Sequence, residues 1–198
     1  GFESLVSNTT GTGNNALGKG SLDANTTGDY NVAIGDDALG ANTTADANTA
    51  VGSAALTTNT TGANNTALGF ESLRRNTTAS NNTAVGYASL SANTTGAENV
   101  TVGAESGYYN TTGDGNTALA YRAYGRAASL GSNTTAADNT AVGYASLNAN
   151  TTGDNLTAVG SGALTANTTG TANTSVGKNS MYNSTTAIDN SAFGVNSL

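Results

Sequence analysis

The chain repeats every 17 residues, and this period constrains its fold more than any other feature. The triplet Asn-Thr-Thr recurs at steps of 17 from Asn8 to Asn110, takes one step of 23 to Asn133, and then resumes its step of 17. No stretch of 1–198 lies outside the pattern. We therefore predict a single repeat array, with one six-residue insertion and an irregular coil at about 104–132. Because the chain begins and ends within a unit, we expect an excerpt of a longer array.

Two apolar files run through the array at the repeat spacing. The first consists of Leu17, Ile34, Val51, Leu68, Val85, Val102, Leu119, Val142, Val159, Val176 and Phe193. The second consists of Leu5, Leu22, Leu39, Leu56, Leu73, Leu90, Leu130, Leu147, Leu164, Met181 and Leu198, with Gly107 as the exception. Gly, Asn and Thr fill the rest of each unit, and their low helix propensity argues against helices. Two large aliphatic residues per unit suit the narrow interior of an all-β parallel β-solenoid, with eleven coils stacked about 4.8 Å apart.

Side-chain directions follow from the alternation along an extended strand. In the unit that begins at Asn82, we expect the end residues of Thr83–Val85 to point inward and the central Ala to point outward. We expect Leu90 to point inward, Ser89 outward and Thr95 outward. The outward Ala and Ser files contain small residues in almost every unit, so they predict either a surface that packs against another chain or cramped bends.

Glycine and asparagine mark the bends of each coil. Gly86 and its counterparts allow a turn after the strand, and the two Asn files tolerate turn conformations. Stacked Asn amides also hydrogen-bond from coil to coil. The spacing of the inward positions fits a triangular left-handed β-helix as well as a flattened β-roll, and it leaves both open.

Composition excludes several classes of function. A net charge of -7 with only six Lys and Arg residues argues against a nucleic-acid partner and an anionic membrane surface. No apolar run approaches the roughly 18 residues of a membrane span. His and Cys are absent and the carboxylates are scattered, so we expect neither an enzyme nor a cofactor or metal site. Asp36–Asp37 is a weak cation candidate.

The string Asn-Thr-Ala-Val-Gly-Tyr-Ala-Ser-Leu, at 82–90 and again at 139–147, resembles the head repeats of trimeric autotransporter adhesins. Related strings occur in tail-fibre-like proteins of phages and bacteria. The resemblance implies a left-handed parallel β-roll, a homotrimer and display at the cell surface. The unit here is longer than the usual adhesin repeat, and the Asn-Thr-Thr-Gly segment is the additional part.

One file predicted to face outward is invariant within the chain. We call it the threonine file, and it consists of Thr10, Thr27, Thr44, Thr61, Thr78, Thr95, Thr112, Thr135, Thr152, Thr169 and Thr186. A straight file of methyl and hydroxyl groups is typical of ice-binding solenoids. The alternatives are an interface between chains or a structural ladder favoured by the β-propensity of Thr.

Two further kinds of site are indicated. Each Asn-Thr-Thr triplet is a glycosylation acceptor, at Asn8, Asn25, Asn42, Asn59, Asn76, Asn93, Asn110, Asn133, Asn150 and Asn167. Where the period breaks, aromatic and basic residues gather in a candidate ligand loop for a glycan, formed by Tyr108, Tyr109, Tyr121, Arg122, Tyr124 and Arg126. The alternative for the loop is a repair in which Tyr fills the space left by Gly107.

These features favour an extracellular structural fibre or adhesin segment at the cell surface. Its partners would be copies of itself, in a trimer or in a filament formed by end-to-end stacking. A cell-surface glycan and ice are further candidate partners. An ice-binding solenoid and the shaft of a phage tail fibre are the alternative functions.

Overall fold

The computed structural model describes residues 1–120 and 128–198, and it is a stack of coils with one three-residue strand each. We number the strands in chain order. They are β1 (Asn15–Leu17), β2 (Val32–Ile34), β3 (Thr49–Val51), β4 (Thr66–Leu68), β5 (Thr83–Val85), β6 (Val100–Val102), β7 (Thr117–Leu119), β8 (Thr140–Val142), β9 (Thr157–Val159), β10 (Thr174–Val176) and β11 (Ser191–Phe193). The described residues contain no helix. The predicted parallel β-solenoid is confirmed.

The strands form one parallel sheet in which each strand pairs with the strands before and after it in sequence. The register is exact by repeat position, since Ala67 pairs with Ala84 and Val85 with Val102. The longer step leaves it intact, because Thr117 of β7 pairs with Thr140 of β8. In the sequence, the six extra residues fall between β7 and Ala128. Residues 121–127 of this segment lie outside the described residues.

Glycine directly follows most strands because the chain turns there at a backbone angle that other residues rarely adopt. Gly86 has a φ of 131°, and a Cβ at this position would lie 2.7 Å from the carbonyl group of Gly103 one coil further on. The predicted glycine turn is confirmed. The close approach of successive glycine backbones also explains why a side chain is not tolerated at Gly86.

The interior is thin and contains one large apolar side chain in most coils. Leu39, Leu56, Leu73 and Leu90 are buried, as predicted, and between the two ends of the stack so are the small residues at the centre of the strands and before these Leu residues. The core is a column of Leu side chains packed against columns of Ala and Ser.

The predicted directions of two files are wrong. Ala84 is fully buried, whereas Thr83 and Val85 on either side of it are partly exposed. Ser89, predicted to point outward, is buried beside Leu90. The reason is the narrow interior: one large side chain per coil leaves space opposite it only for a small residue such as Ala84 or Ser175.

This correction removes the predicted small-residue interface. The Ala and Ser files that were predicted to face outward instead line the core. They are therefore not available for contact with another chain. Their small size reflects the narrow interior. The first aliphatic file, predicted to be buried, forms part of the surface.

Two files of asparagine side chains replace apolar residues in the rest of the interior. Asn59 donates from Nδ2 to Oδ1 of Asn42 (3.2 Å) and to the carbonyl of Gly62 (2.8 Å), and its Oδ1 accepts from Nδ2 of Asn76 (2.9 Å). Asn48, in the other file, donates to the same carbonyl of Gly62 from the preceding coil (2.9 Å). The predicted coil-to-coil Asn ladder is confirmed, and the two files converge on one carbonyl per coil.

Candidate interaction surfaces

The outer side of the sheet forms a continuous surface, which we call the sheet face. It consists of two adjacent files. One is the first aliphatic file, and the other contains Asn15, Val32, Thr49, Thr66, Thr83, Val100, Thr117, Thr140, Thr157, Thr174 and Ser191. Residues of both files are partly or fully exposed, for example Ile34 at 39% and Val102 at 40%. The sheet face carries no charged residue over eleven strands. It is a continuous, uncharged strip in which methyl and hydroxyl groups predominate.

The threonine file lies at the surface in every coil. Its hydroxyls make no hydrogen bond to the described part of the chain, whereas the Thr immediately before each member from Thr10 to Thr169 donates to a backbone carbonyl of the next coil. Thr94, for example, donates from Oγ1 to the carbonyl of Thr111 (3.0 Å). Residues beside the file vary, and Asp114 and Asp154 each accept a backbone N–H from the preceding coil. The file is a single row of free hydroxyls rather than a broad face.

The predicted glycosylation sites lie inside the structure. All of them except Asn8 are buried, and the amide nitrogen of Asn93 donates both to Asn76 Oδ1 (3.0 Å) and to the carbonyl of Gly96 (2.8 Å). A glycan on such a nitrogen would need space that the folded coil does not contain. The triplet therefore has a structural role here, in which Asn forms the ladder and the first Thr ties neighbouring coils together.

The candidate ligand loop is only partly described. Tyr121, Arg122, Tyr124 and Arg126 lie outside the described residues. Tyr108 and Tyr109 contact each other edge to face, with ring centroids 4.8 Å apart.

The space at Gly107 is filled from the neighbouring strand. The Cγ2 atom of Thr101 lies 2.9 Å from the position of a Cβ on Gly107, and Leu90 Cδ1 lies 3.4 Å from it. Thr101 replaces the usual Ala of the strand, and its hydroxyl lies 2.7 Å from Ser89 Oγ. Thr101 therefore takes the repair role that the sequence suggested for Tyr. The exchange of Ala for Thr opposite the missing Leu was the signal in the sequence.

An exposed aromatic pair was missed by the sequence reasoning. The rings of Phe70 and Tyr87 stack with centroids 5.8 Å apart and planes 6° from parallel, and the residues are 47% and 53% exposed. They occupy equivalent positions of successive coils, two residues after the aliphatic file, so they lie at one edge of the sheet face. Their separation of 17 residues was the signal that could have identified them.

Candidate cation sites find no support in the described residues. Asp36 accepts the backbone N–H of Lys19 (3.2 Å), which gives this carboxylate a structural contact. No group of three or more potential ligands that could hold a metal ion occurs within 1–120 and 128–198. In the same part of the chain there is no helix long and apolar enough to cross a membrane.

Comparison with known proteins returned no match, either to a family model, to a curated protein or to a solved structure. The fold defines the class of protein: the chain is a parallel β-solenoid of about ten coils, compatible with a β-roll repeat.

Proposed function

We propose that the chain is a segment of an extracellular structural fibre or adhesin, a rigid rod that assembles with copies of itself. The observation that carries the proposal is the uncharged sheet face on a continuous, in-register stack. Backbone hydrogen bonds join successive coils on all sides, for example Leu56 N–H to the Ser72 carbonyl (3.1 Å) and Thr60 N–H to the Thr77 carbonyl (2.8 Å). Such a stack resists bending, so repetition converts directly into length.

The sheet face is the surface best suited to lateral assembly. Eleven strands at about 4.8 Å give a strip roughly 50 Å long, and two side-chain files make it about 10–15 Å wide. The resulting area of roughly 500–750 Å² per chain approaches the roughly 800 Å² per partner of a standard stable interface. Exposed aliphatic side chains without nearby charge are favourable to bury. A homotrimer would shield three such strips along a common axis.

A charge placed on the sheet face should prevent assembly. We expect the wild-type chain to sediment as an oligomer and the Val85→Lys, Val142→Lys double variant to sediment as a monomer, because two ammonium groups per chain would be buried without partners. The matched control is Thr95→Lys, Thr152→Lys, which places the same charges on the threonine file. This control should remain oligomeric. A wild-type chain that is monomeric at high micromolar concentration would contradict the proposal.

The similarity of 82–90 to adhesin head repeats and tail-fibre-like proteins supports a place outside the cell, either at a bacterial surface or in the shaft of a phage fibre. Both roles use the same mechanics: the rod sets a distance and presents its surface at fixed intervals. A cell-surface glycan is the partner class that suits an adhesin, whereas a shaft binds only its own copies. Binding of the assembled rod to a glycan array separates the two roles.

Ice binding is a second candidate, and a specific observation favours it. The sheet face combines a Thr-rich file with an adjacent aliphatic file, both uncharged and repeated at the strand spacing, as in Thr157 beside Val159. This double file is a better candidate for an ice-binding surface than the single threonine file predicted from sequence. Thermal hysteresis of the monomer decides it. Activity that is lost in Val85→Lys, Val142→Lys but kept in the Thr95→Lys, Thr152→Lys control would support ice binding, and no hysteresis at millimolar concentration would exclude it.

A further inference from the structure

In the proposed lateral assembly, the sheet face provides the contact between copies but does not by itself define their axial register. Seven of the eleven strands present a Thr beside an aliphatic residue, so a copy shifted by one coil, about 4.8 Å, meets a similar surface over most of the face. A closed assembly around an axis along the rod requires zero shift between copies, because any other shift generates an open helix. Some aperiodic feature beside the face must distinguish these arrangements.

The residue after each strand-ending glycine provides such a feature. We call these residues the edge file, and its described members include Lys19, Asp36, Ser53, Phe70, Tyr87, Ala104, Tyr144, Ser161 and Lys178. In contrast to the two files of the sheet face, the edge file changes in size and charge from coil to coil. The Phe70 and Tyr87 rings form its bulkiest part, and the small residues Ser53 and Ala104 flank them.

We propose that the Phe70–Tyr87 stack sets the axial register between copies of this chain assembled through the sheet face. This inference rests on the lateral assembly proposed above. The paired rings are about half exposed at the edge of the face, where they can pack against a neighbouring copy. Partly exposed aromatic side chains are the usual anchors of protein interfaces. A shift of one coil replaces one ring of the pair by Ser53 or Ala104 and leaves the other ring in water, so one register is favoured over its neighbours.

The absence of Cys allows the register to be measured with a single spin label. Thr78→Cys carries the label on the threonine file, away from the sheet face, and pulsed electron paramagnetic resonance reports the distance between labels in the assembly. We expect one narrow distance distribution in the otherwise wild-type rod. With Phe70→Ser and Tyr87→Ser added, we expect a broad distribution from copies displaced by multiples of roughly 4.8 Å. Serine is compatible with the coil at this position, since Ser53 and Ser161 occupy it naturally.

The control is Tyr109→Ser, which removes an aromatic side chain of similar exposure, 46%, from outside the edge file. It should keep the narrow distribution. A narrow distribution in the assembled Phe70→Ser, Tyr87→Ser variant would overturn the register assignment while leaving lateral assembly intact. A monomeric Phe70→Ser, Tyr87→Ser variant would also overturn it, because the rings would then be required for association itself. A monomeric wild-type rod would overturn the proposed assembly and this inference together.

Discussion

At the scale of single residues, the core Leu positions combine burial with an unusual backbone. Leu56 has a φ of 51° and Leu90 a φ of 53°, in the left-handed region that branched and bulky side chains rarely occupy. That conformation costs about 1–2 kcal/mol per residue. Burial of a Leu side chain stabilises the fold by about 1.5–3 kcal/mol. The position is therefore stable only because the side chain is buried. Gly107, with a φ of 60°, adopts the same turn without the cost and without the benefit.

This balance predicts an inversion of the usual order of Ala and Gly variants. Leu56→Ala should lose about 2–5 kcal/mol through the cavity. Leu56→Gly should be at least as stable as Leu56→Ala, because glycine removes the left-handed strain that alanine keeps. At Ala50, a strand position without a positive φ, Ala50→Gly should instead lose about 0.5–1 kcal/mol. Urea unfolding measures all three. Leu56→Gly less stable than Leu56→Ala by more than 1 kcal/mol would contradict this account.

At the scale of the coil, the two Asn files act as polar cores. In the middle of the stack, Asn amides such as Asn59 are buried and act as both donor and acceptor. At the end of one file, the buried Oδ1 of Asn167 has no hydrogen-bond partner in the described part of the chain. Leu156 interrupts one file. Its N–H still donates to Asn139 Oδ1 (2.9 Å), but its side chain has no oxygen that could accept a hydrogen bond from Asn173. The array tolerates this break because the second file continues beside it, with Asn167 Nδ2 donating to Asn150 Oδ1 (2.9 Å).

Removing one amide from an intact file should be costly. Asn59→Ala leaves the Oδ1 of Asn42 without its donor, and the Nδ2 of Asn76 loses one of its two acceptors while it keeps the Ala79 carbonyl (2.9 Å). An unsatisfied buried group costs about 1–3 kcal/mol, and a lost hydrogen bond costs about 0.5–1.5 kcal/mol. We therefore expect a loss of about 2–5 kcal/mol in urea unfolding. Thr61→Ala, on the threonine file of the same coil, should change stability by less than about 0.5 kcal/mol. Equal effects of the two variants would show that the ladder contributes little.

At the scale of the whole molecule, the apolar core is divided. One cluster runs from Leu22 to Leu90 and the other from Ala118 to Ala192. The coil that contains Gly107 separates them. The sheet continues past this coil, and so does one Asn file, in which Asn133 Nδ2 donates to Asn110 Oδ1 (2.7 Å). In a stack stabilised by nearest-neighbour contacts, such a weak coil should uncouple the unfolding of the two parts.

Restoring the usual residues should join the two clusters. Gly107→Leu alone should destabilise because its side chain would collide with Thr101. Thr101→Ala alone should destabilise because it leaves a void and removes the hydroxyl contact to Ser89. The double variant recreates the Ala and Leu of other coils, so it should exceed both single variants in stability and unfold in a steeper transition. Denaturant unfolding followed by circular dichroism measures both quantities, and additive single effects would refute the coupling.

The sequence alone predicted the stacked coils, their register and the Asn ladder, because identical units bury like residues most easily by placing them one above another. It also identified Leu90 and its equivalents as core. Which side of each strand faces inward was decided by the tertiary structure. In Thr83–Val85, the two apolar residues Ala84 and Val85 point to opposite sides of the strand. The local sequence pattern favoured burial of Val85 because it is the larger of the two. The glycine turn and the left-handed Leu instead bring Ala84 opposite Leu90 in a space too narrow for Val85. The same geometry placed the aliphatic file on the surface and created the sheet face on which the proposed assembly depends.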